Sequence, residues 1–394
     1  MPALILDAAR TPFGRYRGGL SSVRVDDLAA LPIVELLKRH CATLDPTRID
    51  DVVYGNTNGA GEENRNVGRM AALLAGLPVT VPGSTVNRLC GSGGEAVAQA
   101  GRAIAAGDAE LVVAGGVEGM SRAPFVMPRP ERAMPDRMEL VTTLGWRLVN
   151  RRMRPEWTVP MGLGAERVAV RLGIDRAEMD HFALRSHRRA AAAWDAGVHD
   201  GFVFPVLAPD SSHPLRRDES VRHETSAQKL AALSSAFSTD GPVTAGNSSP
   251  FSDGAVALLL GSERTAAELA IEPLGEVVGS AVVACEPQCF PLAAVSAVRK
   301  LLTRMVVRAE DVALWEINEA FAAVVLSVLR HLPEIAPERV NVHGGAIAYG
   351  HPLGASMPRV IADLCRHLRA RGGGTGIAVT SIAVGQAQAV AIRA

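Results

Sequence analysis

The chain has 394 residues, 48% hydrophobic and 21% charged, enough to bury a large core and to form two or more structural units. Lysine plus arginine and aspartate plus glutamate both number 41, so no overall field favours nucleic acid or a membrane surface, and any anionic ligand must be held locally. No stretch reaches the roughly 20 uncharged apolar residues of a membrane helix, Met1 to Gly18 lacks a signal-peptide core, and five scattered cysteines without metal spacing suit a reducing compartment, so a cytoplasmic enzyme is expected.

In chain order, Ala3 to Ala8 reads as a strand, Val25 to His40 as a helix, Asp51 to Tyr54 as a strand and Asn66 to Ala75 as a helix. Gly93 to Ala106 follows as a helix and Leu111 to Ala114 as a strand. Strand-like apolar runs alternating with Ala-rich helical segments predict an α/β protein with helices packed on sheets.

The same order returns about 260 residues downstream. Asp51-Val52-Val53-Tyr54-Gly55-Asn56 matches the run from Asp311 to Asn318, both ending on an asparagine. From Asp51 to Cys90 is 39 residues, and from Asp311 to His351 is 40. Each is followed by small residues, a helix, a Gly-containing turn and an apolar strand, Leu111 to Ala114 in one case and Ile377 to Ser381 in the other. Two duplicated halves packed back to back are expected. Between them, Ser121 to Val243 changes to Arg, Met and Pro clusters and is too long for a simple connection. It is expected to carry helices of its own, one over Ala177 to Ala196, and its arginine clusters read as a solvated face.

Cys90 stands where a strand-like run gives way to a helix opening with Gly91-Ser92-Gly93-Gly94. Free backbone N–H groups and the positive end of the helix dipole favour a thiolate there, so a thiol more acidic than usual is expected. Taken alone, the loop fits a buried structural cysteine equally well. His351, in Gly350-His351-Pro352-Leu353-Gly354-Ala355-Ser356, holds the equivalent position of the second half. A duplicated fold brings the two helix N-termini together, and a cysteine facing a histidine is a nucleophile with its base. Asn318 ends a strand-like run and can orient a water or donate to a thioester carbonyl, whereas Glu319 fits a helix N-terminal acid without chemistry.

Together these segments resemble the thiolase family of acyl-CoA acyltransferases, which make or cleave β-ketoacyl-CoA. The resemblance runs over nearly the whole chain. It rests on Ala9-Arg10-Thr11-Pro12-Phe13-Gly14, the Cys90 loop, Gly115-Gly116-Val117-Glu118-Gly119-Met120-Ser121, Thr244 to Ser249, Asn318-Glu319-Ala320-Phe321, and Gly344 to Pro352. It implies an α/β five-layer αβαβα sandwich of two similar halves, residues 1–120 plus 244–270 and residues 271–394. A loop domain, 121–243, is expected to cover coenzyme A. It further implies a homodimer or homotetramer, acyl-CoA and CoA as partners, no nucleic acid or membrane span, and no cofactor, coenzyme A being a substrate. By the same resemblance Cys90 takes the acyl group, His351 activates it, and Asn318 holds a water in a shared oxyanion hole. Ser249 and Met161 lie along the pantetheine arm, Arg222 at the nucleotide end, and Phe321 and Phe290 on the substrate side.

The chain departs from the family pattern at three places. Ser381 stands where the family has a second cysteine that moves the α-carbon proton, and a hydroxyl is far less acidic than a thiol of pKa about 8.5. Ala383, for glycine, keeps the N–H of a second oxyanion hole but loses backbone freedom. Phe290 to Ala297 replaces the family's glycine- and proline-rich acyl-pocket loop, and Ser356-Met357-Pro358-Arg359 replaces Ser-Gly-Ala-Arg. The expected activity is thiolytic cleavage of a β-ketoacyl-CoA, or the reverse Claisen condensation, through acyl-Cys90. The alternatives are a CoA thioester acyltransferase or hydrolase without carbon-carbon chemistry, and a thiolase-like protein that only binds acyl-CoA.

Overall fold

The structure, a computed structural model, describes residues 1–134 and 137–394. The first half runs β1 (Leu4–Arg10), β2 (Gly14–Arg15), α1 (Val25–Arg39), β3 (Asp51–Gly55), α2 (Val67–Leu74), β4 (Gly83–Val86), α3 (Ser92–Ala106) and β5 (Leu111–Gly119). An insert follows with β6 (Phe125–Val126), β7 (Val141–Thr142), α4 (Met161–Leu172), α5 (Arg176–Asp195) and α6 (Ala227–Ala231). The chain returns through β8 (Ser252–Gly261) and α7 (Glu263–Glu268). The second half is β9 (Gly275–Ala284), α8 (Phe290–Met305), β10 (Leu314–Ile317), α9 (Ala322–His331), α10 (Ala346–Tyr349), α11 (Leu353–Ala370), β11 (Thr375–Ile382) and β12 (Gln386–Arg393).

The helices begin where the side chains make them begin. Asn66 accepts from Arg69 N–H ahead of α2, and Asp175 from Glu178 N–H ahead of α5, each satisfying a donor that the first turn leaves free. Asp26 and Asp27 open α1 and Lys38 and Arg39 close it, matching the helix dipole.

The repeat read from the sequence is visible in the sheet. In the first half the strands lie in the order β4-β3-β5-β8-β1, and in the second β10-β11-β12-β9. Strand β3 pairs in parallel with β4 and β5, and β10 in parallel with β11. The partner that would match β4 is reduced to one parallel bridge, Trp315 with Val340. The halves meet edge to edge where Leu4 pairs with Glu276 and Ile5 with Gly275, so all the strands except β6 and β7 share one ladder.

Three apolar clusters show the five layers. α1 and α2 cover the outer face of the first half with Leu28, Ile33, Val67 and Ala71. Between the halves lie α3 and α11, whose Ala96, Val97, Ile104, Val360, Ile361 and Leu364 pack against strand residues of both, such as Val112 and Leu258 on one side and Ala378 and Val390 on the other. α8 and α9 cover the outer face of the second half and are joined there by Ala165, Phe182 and Ala183 of the insert. Each such aliphatic side chain taken from water contributes about 1.5–3 kcal/mol, so the central layer fixes the relative placement of the two halves.

That central layer closes tightly because it is built with glycine. A Cβ at Gly93, near the start of α3, would collide with Gly354 O at the start of α11, and one at Gly354 would collide with Val117 O and Gly55 O. The two helix N-termini therefore meet, as the repeat requires. A buried bidentate pair, Arg10 Nη1 and Nη2 with Asp218 at 2.7 and 2.9 Å, ties β1 to the insert. The clusters around Arg129 and Arg151 are exposed, as a solvated face should be. No helix among the described residues is long and apolar enough to cross a membrane.

Candidate active site

Cys90 is carried on a tight turn between β4 and α3. Leu89 takes φ +49°, a left-handed value uncommon for a residue with a Cβ, and this swings the next side chain out of the strand direction. The turn is held on all sides. Ser92 Oγ accepts from Arg88 N–H at 2.9 Å and donates to Leu89 O at 2.6 Å, and Thr57 Oγ1 also donates to Leu89 O at 3.1 Å. Asn87 braces it from the other end, accepting from Leu89 N–H at 2.9 Å and donating to Thr57 O at 2.8 Å.

The thiol is not acidic in this setting. Burial pushes Cys90 up to about 11, the Glu118 carboxylate nearby adds to the rise, and the N–H groups of Ala383 and of Cys90 itself only partly offset it. Cys90 keeps part of its surface open to solvent, but desolvation of its sulfur still outweighs the helix terminus, so the expected thiolate gives way to a neutral thiol. Glu118 accepts from Thr57, Asn58 and Gly354 N–H at 3.0 Å each and so buttresses both the Cys90 turn and the start of α11, while burial raises its carboxyl to about 7.

His351 sits just ahead of α11 and is buried. Burial, and after it the positive Arg359, lowers its pKa to about 3, so the ring is neutral. Nδ1 lies 2.6 Å from Ser356 Oγ, and that hydroxyl donates its one proton to Pro352 O at 2.9 Å. Ser356 must then accept from His351, which puts the ring proton on Nδ1 and leaves Nε2 with a free lone pair. Asn318 Nδ2 approaches the ring at 3.4 Å from Nε2 and 3.5 Å from Nδ1, and its buried Oδ1 has no partner among the described residues.

Ser381 is the last residue but one of β11, in register with Ala387 and on the strand face that also carries Ile377 and Val379, and its buried Oγ has no partner among the described residues. Asn318 N–H donates to Val379 O at 2.8 Å, two residues before Ser381. Ala383 follows in the hairpin turn with Val384 at φ +61°, and its N–H points to the Cys90 sulfur. Cys90, His351, Asn318 and the Ser381-Ala383 pair are thus supplied by four different chain segments that converge on the helix N-termini and strand ends.

The remaining expected residues divide. Ser249 Oγ donates to Ala320 O at 3.0 Å and its N–H to the same oxygen, which docks it on the Asn318-Phe321 segment. Phe321 and Phe290 are buried with ring centroids 6.1 Å apart, Phe237 of the insert adds to the stack at 6.1 Å, and Met161 at the start of α4 packs on the same cluster. Phe290 to Ala297 is not a loop: with Pro291 in its first turn it opens α8, where the missing proline N–H costs nothing. Arg222 is exposed, its backbone N–H held by His187 Nδ1 at 3.2 Å, and is not brought to the Cys90 cluster. Glu319 is structural, bonded to Ser186, Asn341 and Ile347 N–H at 2.6–3.1 Å.

Sequence reasoning assigned no role to Ser356, Thr57 or Glu118, although Ser356 and Glu118 lie in quoted motifs; only the folded partners reveal what they hold. Gln388, buried on β12 beside Gly94, leaves both amide atoms without partners among the described residues. Two surface clefts, of about 570 and 370 Å³, lie on the insert and between α5 and α9, and neither is lined by Cys90, His351 or Asn318.

Comparison with known proteins agrees with this geometry. Residues 3–264 match the family description "Thiolase, N-terminal domain" and residues 271–394 match "Thiolase, C-terminal domain". The 3-oxoadipyl-CoA/3-oxo-5,6-dehydrosuberyl-CoA thiolase of Escherichia coli K12 is 47% identical over 98% of this chain and 97% of its own length. A beta-ketoadipyl-CoA thiolase of Acinetobacter baylyi is 44% identical over 99% and 98%. Among solved structures, human mitochondrial 3-ketoacyl-CoA thiolase in complex with CoA superposes with a TM-score of 0.93 at 34% identity, covering 100% of this chain and 98% of that one. The chain belongs to the thiolase family, the acyltransferases that use coenzyme A as a substrate.

Proposed function

We propose that this thiolase cleaves 3-oxoadipyl-CoA with CoA, giving succinyl-CoA and acetyl-CoA, through an acyl-Cys90 intermediate, or catalyses the reverse condensation. The observation that carries the acyl-transfer chemistry is the convergence of the Cys90 thiol, the Ala383 N–H and the Cys90 N–H on one point, with a neutral His351 at the facing helix start. The substrate is supported by relatives 44–47% identical over nearly the whole chain that are named for 3-oxoadipyl- or β-ketoadipyl-CoA. One relative at 41%, in Chromobacterium violaceum, is named acetyl-CoA acetyltransferase instead.

In thiolysis, His351 Nε2 takes the Cys90 proton as sulfur bonds to the β-carbonyl carbon. The developing oxyanion accepts from the Cys90 and Ala383 N–H groups, fixed donors that need no reorganisation. The bond between the α and β carbons breaks, and the electron pair leaves on the α-carbon of an acetyl-CoA enolate, which takes a proton passed through the Ser381 hydroxyl from water. The imidazolium of His351 then gives its proton to the hydroxide left by that water and is a neutral base again; it takes the thiol proton of incoming CoA as that sulfur attacks the acyl carbon, and passes it to the departing Cys90 sulfur. Residues 121–243 fit a cover for the coenzyme A arm, with Met161 and Ser249 on it.

Intact-mass spectrometry after incubation with 3-oxoadipyl-CoA tests the core step: a succinyl adduct on the wild type and none on Cys90→Ala is expected, and no adduct on either would sink the proposal. One observation favours a second reading. A serine at 381 weakens α-carbon proton transfer while leaving acylation intact, which fits an acyltransferase or hydrolase without carbon-carbon chemistry. Exchange of the acetyl-CoA methyl protons with deuterated solvent separates the two, since only the thiolase reaction requires it.

A further inference from the structure

A 3-oxoadipyl chain differs from a plain six-carbon acyl chain only in the carboxylate at its far end, and a site that prefers it must offer that charge a partner. We propose that Arg147, from the insert, is that partner, an inference that rests on the 3-oxoadipyl reading above.

Arg147 reaches back to the loop that supports Cys90. Its Nη1 donates to Asn58 Oδ1 at 3.1 Å and to Thr143 O at 3.0 Å, and its Nη2 to Asn58 O at 2.7 Å. Asn58 is held in turn by its N–H on Glu118 at 3.0 Å, and its neighbour Thr57 holds Leu89 O and is held by Asn87. The guanidinium and the Cys90 turn are therefore braced by the same two residues, Thr57 and Asn58.

Among the described residues, three of the five guanidinium protons are used, and every acceptor is neutral. The two that remain, on Nε and Nη2, share one edge of the planar group, the arrangement that takes both oxygens of a carboxylate. Three other arginines near the Cys90 turn and its supporting loop are already matched by acids. Arg88, two residues before the nucleophile, pairs with Glu95 at 3.1 Å; Arg122 pairs with Glu62 at 2.5 Å; Arg24 pairs with Asp26 at 2.9 Å. Arg147 is half-buried, so a carboxylate reaching it meets a cation partly shielded from water.

The test is steady-state thiolysis of 3-oxoadipyl-CoA and of uncharged 3-oxohexanoyl-CoA by the wild type, Arg147→Met and Arg147→Lys. The wild type should prefer the carboxylated substrate. Arg147→Met should raise KM for 3-oxoadipyl-CoA by about 10–100-fold, the value of a charge-assisted hydrogen-bond pair, and leave 3-oxohexanoyl-CoA within about 2-fold, with Arg147→Lys recovering part of the loss. Turnover of the uncharged substrate also reports that each variant is folded. Equal losses on both substrates would show that Arg147 merely pins the insert to Asn58, and unchanged KM on both would show that it does not meet substrate; either result overturns the inference and leaves the 3-oxoadipyl reading standing. A wild type without preference for the carboxylate overturns that reading and the inference with it.

Discussion

His351 Nδ1 lies 2.6 Å from Ser356 Oγ, one and a half helical turns further along the chain, and the direction of that bond decides which ring nitrogen is free to act as base. Because Ser356 spends its proton on Pro352 O, the ring proton is on Nδ1. Ser356→Ala removes this constraint and leaves a buried Nδ1–H without its acceptor. We expect kcat to fall on the order of 10–100-fold with KM little changed, as for other residues that orient a functional histidine. Nitrogen NMR of the labelled imidazole checks the cause: a fixed Nδ1–H tautomer in the wild type, a mixture in the variant.

The Cys90 thiol, raised to about 11, stays protonated through the neutral range. The rate of Cys90 alkylation by iodoacetamide in free enzyme should therefore climb steadily from pH 7 to 10 without levelling, since the thiolate is the nucleophile and its fraction grows tenfold per pH unit below the pKa. A plateau by pH 8 would mean that the helix terminus, not burial, sets the thiol. His351 is neutral above about 3, so no loss of base function is expected between pH 8 and 5 from its protonation.

Ser381→Cys restores a thiol at a buried position whose hydroxyl has no partner among the described residues. The swap adds little volume, so the fold should tolerate it. Deuterium exchange into acetyl-CoA should rise by about 10-fold or more, in line with the contribution of general acid-base groups, while the rate of Cys90 acylation stays within about 2-fold. An unchanged exchange rate would move attention to Phe290 and its stacked neighbours as the limit.

Asp218 anchors Arg10 through two bonds in a region closed to water and also accepts from Phe13 N–H at 2.6 Å. Asp218→Ala strands a buried guanidinium and should cost about 3–5 kcal/mol in urea unfolding, the range for breaking a buried pair from one side. A change below about 1 kcal/mol would show that solvent reaches Arg10.

Much of this was written in the residue order. The alternation of apolar runs and Ala-rich segments placed α1, α2, α3 and α5 to within a residue or two, because each carries an apolar face, and in α2 and α5 a capping side chain, Asn66 or Asp175, starts the helix. The nearly equal spacing to Cys90 and to His351, 39 and 40 residues, placed both at helix starts, since a duplicated strand-turn-helix unit repeats its end points. Composition alone missed the extent of β5, read as ending at Ala114. Its glycines, at 115, 116 and 119, look like turn residues in a sequence, but in the sheet they are where neighbouring groups come too close for a Cβ.

The chemistry of the site was less legible, because pKa values and tautomers depend on what surrounds a group rather than on its neighbours in the chain. A helix N-terminus can be read from a sequence and argues for an acidic thiol; burial in the folded chain reverses the argument at Cys90, the Glu118 carboxylate 28 residues away adds to the rise, and the N–H of Ala383, 293 residues away, partly offsets it. The same holds for the edge of Arg147 that stays free and for the single proton of Ser356, both decided by which acceptors the fold brings within 3 Å. The sequence by itself determined the duplicated architecture, the family and the residue types that carry acyl transfer, since these follow from periodicity and local motif. Only the tertiary structure decided the protonation states and the partners of those residues, since desolvation and hydrogen bonding are set by contacts between segments far apart in the chain.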